Sequence, residues 1–301
     1  MALPTKHIIH QGPVLASLGG TVISALRQKL SGKAGATPVT PGPEITTTIP
    51  PRPKELVRDY VRHVGGDPSA YRKVIPAHLF PQWGFPLAAQ TLKGLPYPLA
   101  RVLNGGCRME INELLPAGKP LRVRVRLEDI DDNGRRAVLK QRVITGTDDC
   151  PDALVSYLYA IVPLGSKGTS KDKKKAKKKE PKRVPAGARE IGYWRIPADA
   201  GLAFAMLTGD FNPVHWVRPY ARMFGFRSTI LHGFSTMARA VEGLQRTAFA
   251  GSIRELKTFD VQFTKPLILP AKVGLYVDGE SLYVGDAPGG SAYLVGSFTR
   301  R

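Results

Sequence analysis

The sequence predicts an α+β fold in which one unit, a helix followed by antiparallel strands, occurs twice. Three observations predict it. Two segments of comparable length flank a lysine-rich run, and each contains an apolar-periodic stretch that ends in Gly-Asp. In both segments a second helix candidate follows, and the hydrophobic period then changes toward two. A shared order of helix and then strands is typical of a duplicated α+β unit.

The first unit begins with an apolar-periodic segment within DYVRHVGGDPSAY, Asp59–Tyr71. FPLAAQTLKGL, Phe85–Leu95, is its helix candidate. Three strand candidates follow: Leu121–Ile130, Arg135–Thr147 and Ala153–Leu164. The first of them alternates Val-Arg-Val-Arg-Leu, a pattern that indicates a strand with one buried face and one solvated face.

The second unit repeats this order. Its apolar-periodic segment is LAFAMLTGDFNPVHW, Leu202–Trp216, and its helix candidate is STMARAVEGLQRTAF, Ser235–Phe249. The strand candidates are Leu256–Leu269, Lys272–Glu280 and Ser291–Arg300. The sequence therefore predicts a second unit of the same kind.

Composition divides the chain into four parts. Residues 1–44 form an N-terminal extension with one predicted helix, Val14–Leu30, and a flexible joint rich in Pro, Thr and Gly. The first unit covers residues 45–165 and the second covers 185–301. Residues 166–184 form a lysine-rich linker between them.

The net charge of +20 is unevenly distributed. The run KGTSKDKKKAKKKEPKR, 167–183, carries +8, and such a block repels itself and stays solvated, which favours a disordered linker over a nucleic-acid-binding arm. The basic remainder lacks nucleic-acid motifs and suits a substrate with phosphates or an acidic carrier protein. Cys107 and Cys150 lack metal-site or disulfide spacing, which indicates a cytoplasmic protein. No apolar run is long enough to cross a bilayer.

The stretch LTGDFNPVHW places ionisable and amide side chains on a segment that is neither a regular helix nor a regular strand. Gly209 ends the preceding helix and Pro213 forces Asn212 to be extended, so the segment forms a fixed loop. Asp210 and His215 can then face one pocket and hold one water for acid–base chemistry, with Asn212 orienting them. The alternative is an Asx-turn that satisfies its own backbone, with a histidine cap at the surface.

The run STILHGF that follows leads into the second unit's central helix. Gly233 lies at the start of that helix, where free backbone N–H groups favour negative charge. Such an N–H would stabilise the enolate oxygen that develops when a proton is lost or gained α to a thioester. We expect His232 to cap the helix or pack in the interior rather than act as a catalyst.

These residues resemble the signature of the MaoC-like, hydratase 2 family of hydratases and dehydratases. The match runs without departures from Phe204 to Ala221, and the His232-Gly233 pair and the segment Val261–Val273 are also similar to the family. The resemblance implies a hot dog fold, a helix wrapped by an antiparallel sheet, and here a double hot dog that extends more weakly over residues 45–165. It implies that Asp210 and His215 are the catalytic pair, that Asn212 orients them and that the Gly233 N–H binds the thioester oxygen.

The first unit departs from this pattern. Gly66-Asp67 is followed by Pro68–Tyr71 where Asn-Pro-x-His is needed, and Asn104-Gly105 stands where a His-Gly pair is expected. We therefore expect a non-catalytic N-terminal unit that shapes a groove for the acyl chain. Phe80–Leu92 and Leu95–Leu103 are apolar segments that would either line this groove or only fill the core.

The resemblance implies a hydro-lyase that reversibly hydrates 2-enoyl thioesters to (R)-3-hydroxyacyl thioesters in fatty acid metabolism, without a metal or other cofactor. Its partner would be an acyl-CoA or an acyl carrier protein thioester, with no nucleic acid and no transmembrane segment, and a homodimer of double hot dogs stays open. Two alternatives remain: a hot dog acyl thioesterase, and a non-catalytic module that binds acyl thioesters. An intact Asp210 and His215 disfavour the second, because pure binding needs no acid–base couple.

Overall fold

The computed structural model describes residues 3–12, 38–99, 102–164 and 180–301. The predicted helix Val14–Leu30 and most of the lysine-rich run lie outside these residues. Within the described part of the chain, no helix is both long and apolar enough to span a membrane.

Among the described residues, the N-terminal unit contains two α-helices and seven strands. In chain order these are β1 (Ile45–Ile49), α1 (Lys54–His63), β2 (Val74–Ile75), α2 (Pro81–Thr91), β3 (Leu103–Ile111), β4 (Leu115–Pro116), β5 (Leu121–Asp132), β6 (Arg136–Gly146) and β7 (Leu154–Pro163). The short strands β2 and β4 pair only with each other. The predicted helix at Phe85–Leu95 is correct in place but begins earlier, because Pro81 occupies its first turn, where a missing N–H costs nothing.

The C-terminal unit repeats this order. Its elements are β8 (Arg189–Ile196), α3 (Ala200–Thr208), α4 (Arg218–Met223), α5 (Gly233–Thr247), β9 (Leu256–Phe263), β10 (Ala271–Asp278), β11 (Ser281–Gly285) and β12 (Ala292–Arg300). The strand predicted for Leu256–Leu269 ends at Phe263, shortly before Pro266, which has no N–H to donate to a ladder.

The two units share one antiparallel sheet of ten strands. Its order is β1-β5-β6-β7-β3-β9-β12-β11-β10-β8, so each unit supplies five strands and the units meet where β3 pairs with β9. Gly106 permits this contact, because a Cβ there would lie 2.1 Å from the carbonyl oxygen of Val261. The prediction of two helix-wrapped sheets in one pseudo-dimeric unit is confirmed, and the two sheets are continuous.

Alternation along the strands decides which face of the sheet meets the helices. In β5 the residues Leu121, Val123 and Val125 are fully buried, while the intervening arginines reach solvent. Helix α2 packs on β1, β5 and β6, and α5 packs on β8, β9 and β12. One core cluster of buried apolar residues runs through both units. The helices are therefore held at the inner face of the sheet, where the candidate site lies.

Candidate active site

The loop that carries the predicted catalytic residues follows α3. Gly209 caps the helix in the left-handed region (φ 84°), and its N–H donates to Ala205 O at 2.7 Å. Asn212 is extended (φ −55°, ψ 120°), and its side chain accepts a hydrogen bond from Val214 N at 3.3 Å. A 3₁₀ turn, Pro213–His215, completes the loop. The predicted end of the helix and the irregular loop after it are confirmed.

His215 is held in one tautomer by a backbone carbonyl. Its Nδ1 lies 2.9 Å from Ile230 O, and a carbonyl only accepts, so Nδ1 carries the hydrogen and Nε2 keeps its lone pair. Burial lowers the pKa of His215 from the ordinary 6.5, although the Asp210 carboxylate and the Ile230 bond oppose this shift. The imidazole is therefore neutral near pH 7, with a free basic nitrogen.

His232 is a packed histidine next to this pair. Its ring stacks on that of His215, with centroids 3.5 Å apart, and it makes no side-chain cap bond to α5. Its Nε2 donates to Asp210 O at 2.9 Å and lies 3.8 Å from Asp210 Oδ2. Burial and the neighbouring His215 lower the pKa of His232 to about 3. Of the two expected roles, packing is correct; the bond to the Asp210 backbone was not predicted.

Asp210 and His215 converge, as the loop argument predicts. One ligand atom each from Asp210, His215 and His232 lies within 4.8 Å of the others. The Asp210 carboxylate is 16% exposed, and its Oδ1 accepts from Asn212 N at 3.4 Å. The three groups have the spacing of metal ligands, but His215 Nδ1 and His232 Nε2 already bond to backbone carbonyls. The arrangement suits a water between the carboxylate and His215 Nε2.

A pocket of about 210 Å³ reaches this pair. Asp210, Asn212 and His215 line it on one side, and Gly233 does not line it. The remaining lining residues come from the N-terminal unit and are mostly apolar: Phe85, Pro86, Ala88, Ala89, Leu92, Leu99, Val102, Asn104, Gln141, Leu158 and Ala160. An apolar cavity with few polar groups at one end is typical of a site for a ligand with a hydrocarbon part.

Gly233 begins α5, directly after His232. Its N–H is one of the first amides of the helix, which have no partner inside the helix. A Cβ at Gly233 would lie 2.7 Å from the Phe263 ring, so close packing alone already requires glycine here. The role of the Gly233 N–H in binding the thioester oxygen stays a prediction.

The corresponding loop of the N-terminal unit differs from the sequence expectation. Gly65 ends α1 in the left-handed region (φ 87°), as Gly209 ends α3, and Asp67 caps the next 3₁₀ turn, as Asn212 does. Between Gly65 and Asp67 stands Gly66 alone, whereas Asp210 and Phe211 stand between Gly209 and Asn212, so this loop is one residue shorter. A Cβ at Gly66 would lie 2.3 Å from Glu242 Oε2, so a side chain of α5 occupies the space beside this glycine.

The His-Gly comparison in the N-terminal unit was wrong. Asn104-Gly105 lies in β3, after helix α2. The residues that precede α2, as His232 precedes α5, include His78, whose Nε2 lies 2.9 Å from Glu242 Oε1. Both groups are almost completely buried. In the C-terminal unit the His-Gly pair precedes the helix, whereas Asn104-Gly105 follows it.

Acidification is expected to unfold the protein through His63 and His232. Burial lowers the pKa of each to about 3 from the ordinary 6.5. Because these values lie below that of the unfolded chain, the unfolded state binds protons first as pH falls. The free energy of unfolding is therefore highest above about pH 6.5 and decreases as the pH falls toward 3. At pH 5 the decrease is on the order of 2 kcal/mol per histidine. Urea midpoints at pH 7.5 and pH 5 measure this, and His63→Phe should halve the difference. Equal midpoints in the wild type would contradict it.

Comparisons with known proteins found a similar domain, a similar relative and similar folds. A family model described as MaoC like domain matches residues 172–283. The chain is 28% identical over 264 residues to 3-hydroxyacyl-thioester dehydratase X of Mycobacterium tuberculosis. The aligned region covers 84% of this chain and 89% of the relative.

Solved structures share the fold. A crystal structure of HtdX from Mycobacterium tuberculosis superposes with a TM-score of 0.65 at 23% identity, over 85% of this chain and 99% of that chain. A second protein from that organism, with a double hotdog fold, gives a TM-score of 0.54 at 12% identity, over 87% and 97%. The chain therefore has the double hot dog fold, and residues 172–283 are similar to the MaoC like domain.

Proposed function

We propose that this protein is a hydro-lyase that reversibly adds water to 2-enoyl thioesters and forms (R)-3-hydroxyacyl thioesters in fatty acid metabolism. The observation that carries the proposal is the convergence of the Asp210 carboxylate with the neutral His215, whose Nε2 keeps its lone pair, at an apolar pocket that both residues line. Similarity to the relative named 3-hydroxyacyl-thioester dehydratase X supports this proposed class of reaction.

In the hydration direction, a water held by Asp210 and His215 attacks C3 of the enoyl group. The pair takes one proton from the water and delivers one proton to C2, so the product gains one hydroxyl and one hydrogen. Either residue serves as the base, because both contact the same water. Negative charge develops on the thioester oxygen during the reaction, and the Gly233 N–H is proposed to bind it, with Asn212 orienting the pair. Dehydration follows the same steps in reverse.

The N-terminal unit, residues 45–165, is proposed to shape the acyl groove, and residues 185–301 to carry the chemistry. In support of this division, Phe85, Ala88, Ala89 and Leu92 project from one face of α2 into the pocket. Residues three, four and seven apart share a face of a helix, so α2 offers the acyl chain a continuous apolar wall.

The substrate is proposed to arrive as a CoA or an acyl carrier protein thioester. The basic charge that remains outside the lysine-rich run suits CoA phosphates and an acidic carrier equally. A cytoplasmic location is proposed because Cys107 and Cys150 are both free thiols. Light scattering tests whether the protein forms a homodimer of double hot dogs.

A purified-enzyme assay tests the proposal. We expect the protein to hydrate crotonyl-CoA to (R)-3-hydroxybutyryl-CoA, resolved by chiral chromatography, and to release no free thiol. Thiol release in step with substrate loss would instead indicate a thioesterase. Binding of the thioester without turnover would indicate a non-catalytic module. Deletion of residues 167–183 is the control for the linker, and turnover should survive it.

A further inference from the structure

An N-terminal segment, residues 3–12, lies on the body of the protein close to the catalytic loop. Thr5–Gln11 forms a 3₁₀ helix that packs against α3. Two of its polar side chains are buried, His7 and Gln11. His7 Nε2 lies 2.9 Å from Asp59 Oδ2 on α1, so the segment is bound to both units. The expected extension is therefore, over these residues, part of the folded structure.

Gln11 ends this segment and is 0% exposed. Its side-chain amide has two N–H donors, and Nε2 lies 3.2 Å from Met206 O and 3.1 Å from Leu207 O. Its Oε1 accepts from Gln82 Nε2 at 3.3 Å, in the first turn of α2. One buried amide thus connects the start of the pocket-lining helix to the end of the helix that precedes Asp210.

The two carbonyls belong to the last turn of α3. The final four carbonyls of a helix have no partner within it. Phe204 O accepts from Thr208 Oγ1 at 2.8 Å, and Ala205 O accepts from Gly209 N at 2.7 Å. Gln11 supplies hydrogen bonds to the next two carbonyls, those of Met206 and Leu207. The turn from which the catalytic loop departs is therefore completed from a distant part of the chain.

We propose that Gln11 is a positioning residue that fixes the C-terminal turn of α3 and thereby the orientation of Asp210. Without its two N–H groups, the buried carbonyls of Met206 and Leu207 lose their hydrogen-bond donor, and the turn must move or admit water to satisfy them. Asp210 lies three residues after Leu207, and small displacements of an acid–base group reduce turnover steeply. The effect on the reaction rests on the proposed function, whereas the effect on geometry does not.

The test compares full-length wild type, Gln11→Leu and Gln11→Asn with a control on the same segment, Ile9→Ala, whose side chain is 81% exposed. Leucine removes both donors, and asparagine keeps them but is too short to reach both carbonyls. We expect kcat for crotonyl-CoA to fall about tenfold in both Gln11 variants, with KM within about twofold and the rates corrected for the folded fraction. Ile9→Ala should match the wild type.

A second readout is independent of turnover. The ring ¹⁵N signals of His215 and His232 report the bonds to Ile230 and to the Asp210 carbonyl, and we expect the His232 signals to shift in the folded Gln11 variants. An inactive wild type with shifted His232 signals in the variants would overturn the proposed function and leave the positioning role intact. Unchanged His232 signals together with wild-type kcat would overturn the positioning role. A kcat loss that vanishes after correction for the folded fraction would also overturn it, since Gln11 would then only stabilise the fold.

Discussion

Asp210→Asn and His215→Ala should each lower kcat for crotonyl-CoA hydration about a hundredfold or more, the usual effect of removing an acid–base group. Asparagine keeps the size of Asp210 but cannot accept a proton, and alanine removes the Nε2 that the Ile230 bond leaves free on His215. Because Asp210 is partly exposed and His215 lies on a short 3₁₀ turn outside the long helices and strands, both variants should fold. Steady-state rates with purified protein measure the loss.

Asp199→Asn is a matched control for the carboxylate. Asp199 is exposed at the start of α3 and makes no side-chain cap bond, so its loss should leave the rate unchanged. Wild-type rates in either catalytic variant would remove that residue from the mechanism. A loss confined to KM would indicate that the residue binds the substrate without transferring protons.

Ala89→Trp should reduce activity on long acyl chains while sparing activity on short ones. Ala89 lies on the face of α2 that lines the pocket, and an indole there fills part of the space that Leu158 and Ala160 also line. Each buried methylene contributes about 0.8 kcal/mol, so exclusion of four or more predicts a decrease of about a hundredfold or more in kcat/KM for 2-dodecenoyl-CoA. Crotonyl-CoA, which has one carbon beyond the double bond, should react within a few-fold of the wild-type rate.

The control for this substitution is Ala198→Trp, at an exposed turn before α3. It adds the same indole away from the pocket and should leave both substrates unaffected. An equal decrease for long and short chains in Ala89→Trp would show general damage to the site. No decrease for either chain would place the acyl group outside this pocket.

Alternation made the long strands of the sheet predictable, and other strands lacked that signal. Strands β5, β6 and β7 alternate between buried and partly buried residues along most of their length. By contrast, β3 begins LNGGC, and glycines are rare in strand interiors. Gly106 occurs there because the backbone of β9 approaches closely, a contact between units that a local pattern does not contain.

The loop of the site was predictable and its surroundings were not. Gly209 and Pro213 determine the local backbone, so the convergence of Asp210 and His215 follows from a few neighbouring residues. The partners that hold this loop come from elsewhere in the chain. Gln11 bonds to carbonyls 195 and 196 residues away, and the wall of the pocket comes from the other unit. Such contacts depend on tertiary packing, which a periodicity of polar and apolar residues does not specify.

The most direct measurement is a double-mutant cycle with Asp210→Asn, His215→Ala and the combined variant on crotonyl-CoA. Residues that act together on one bound water show losses that are far from additive. We predict that the combined variant retains about the rate of the slower single variant. Losses that multiply would show two independent contributions, and would contradict a single water shared by the carboxylate and the imidazole.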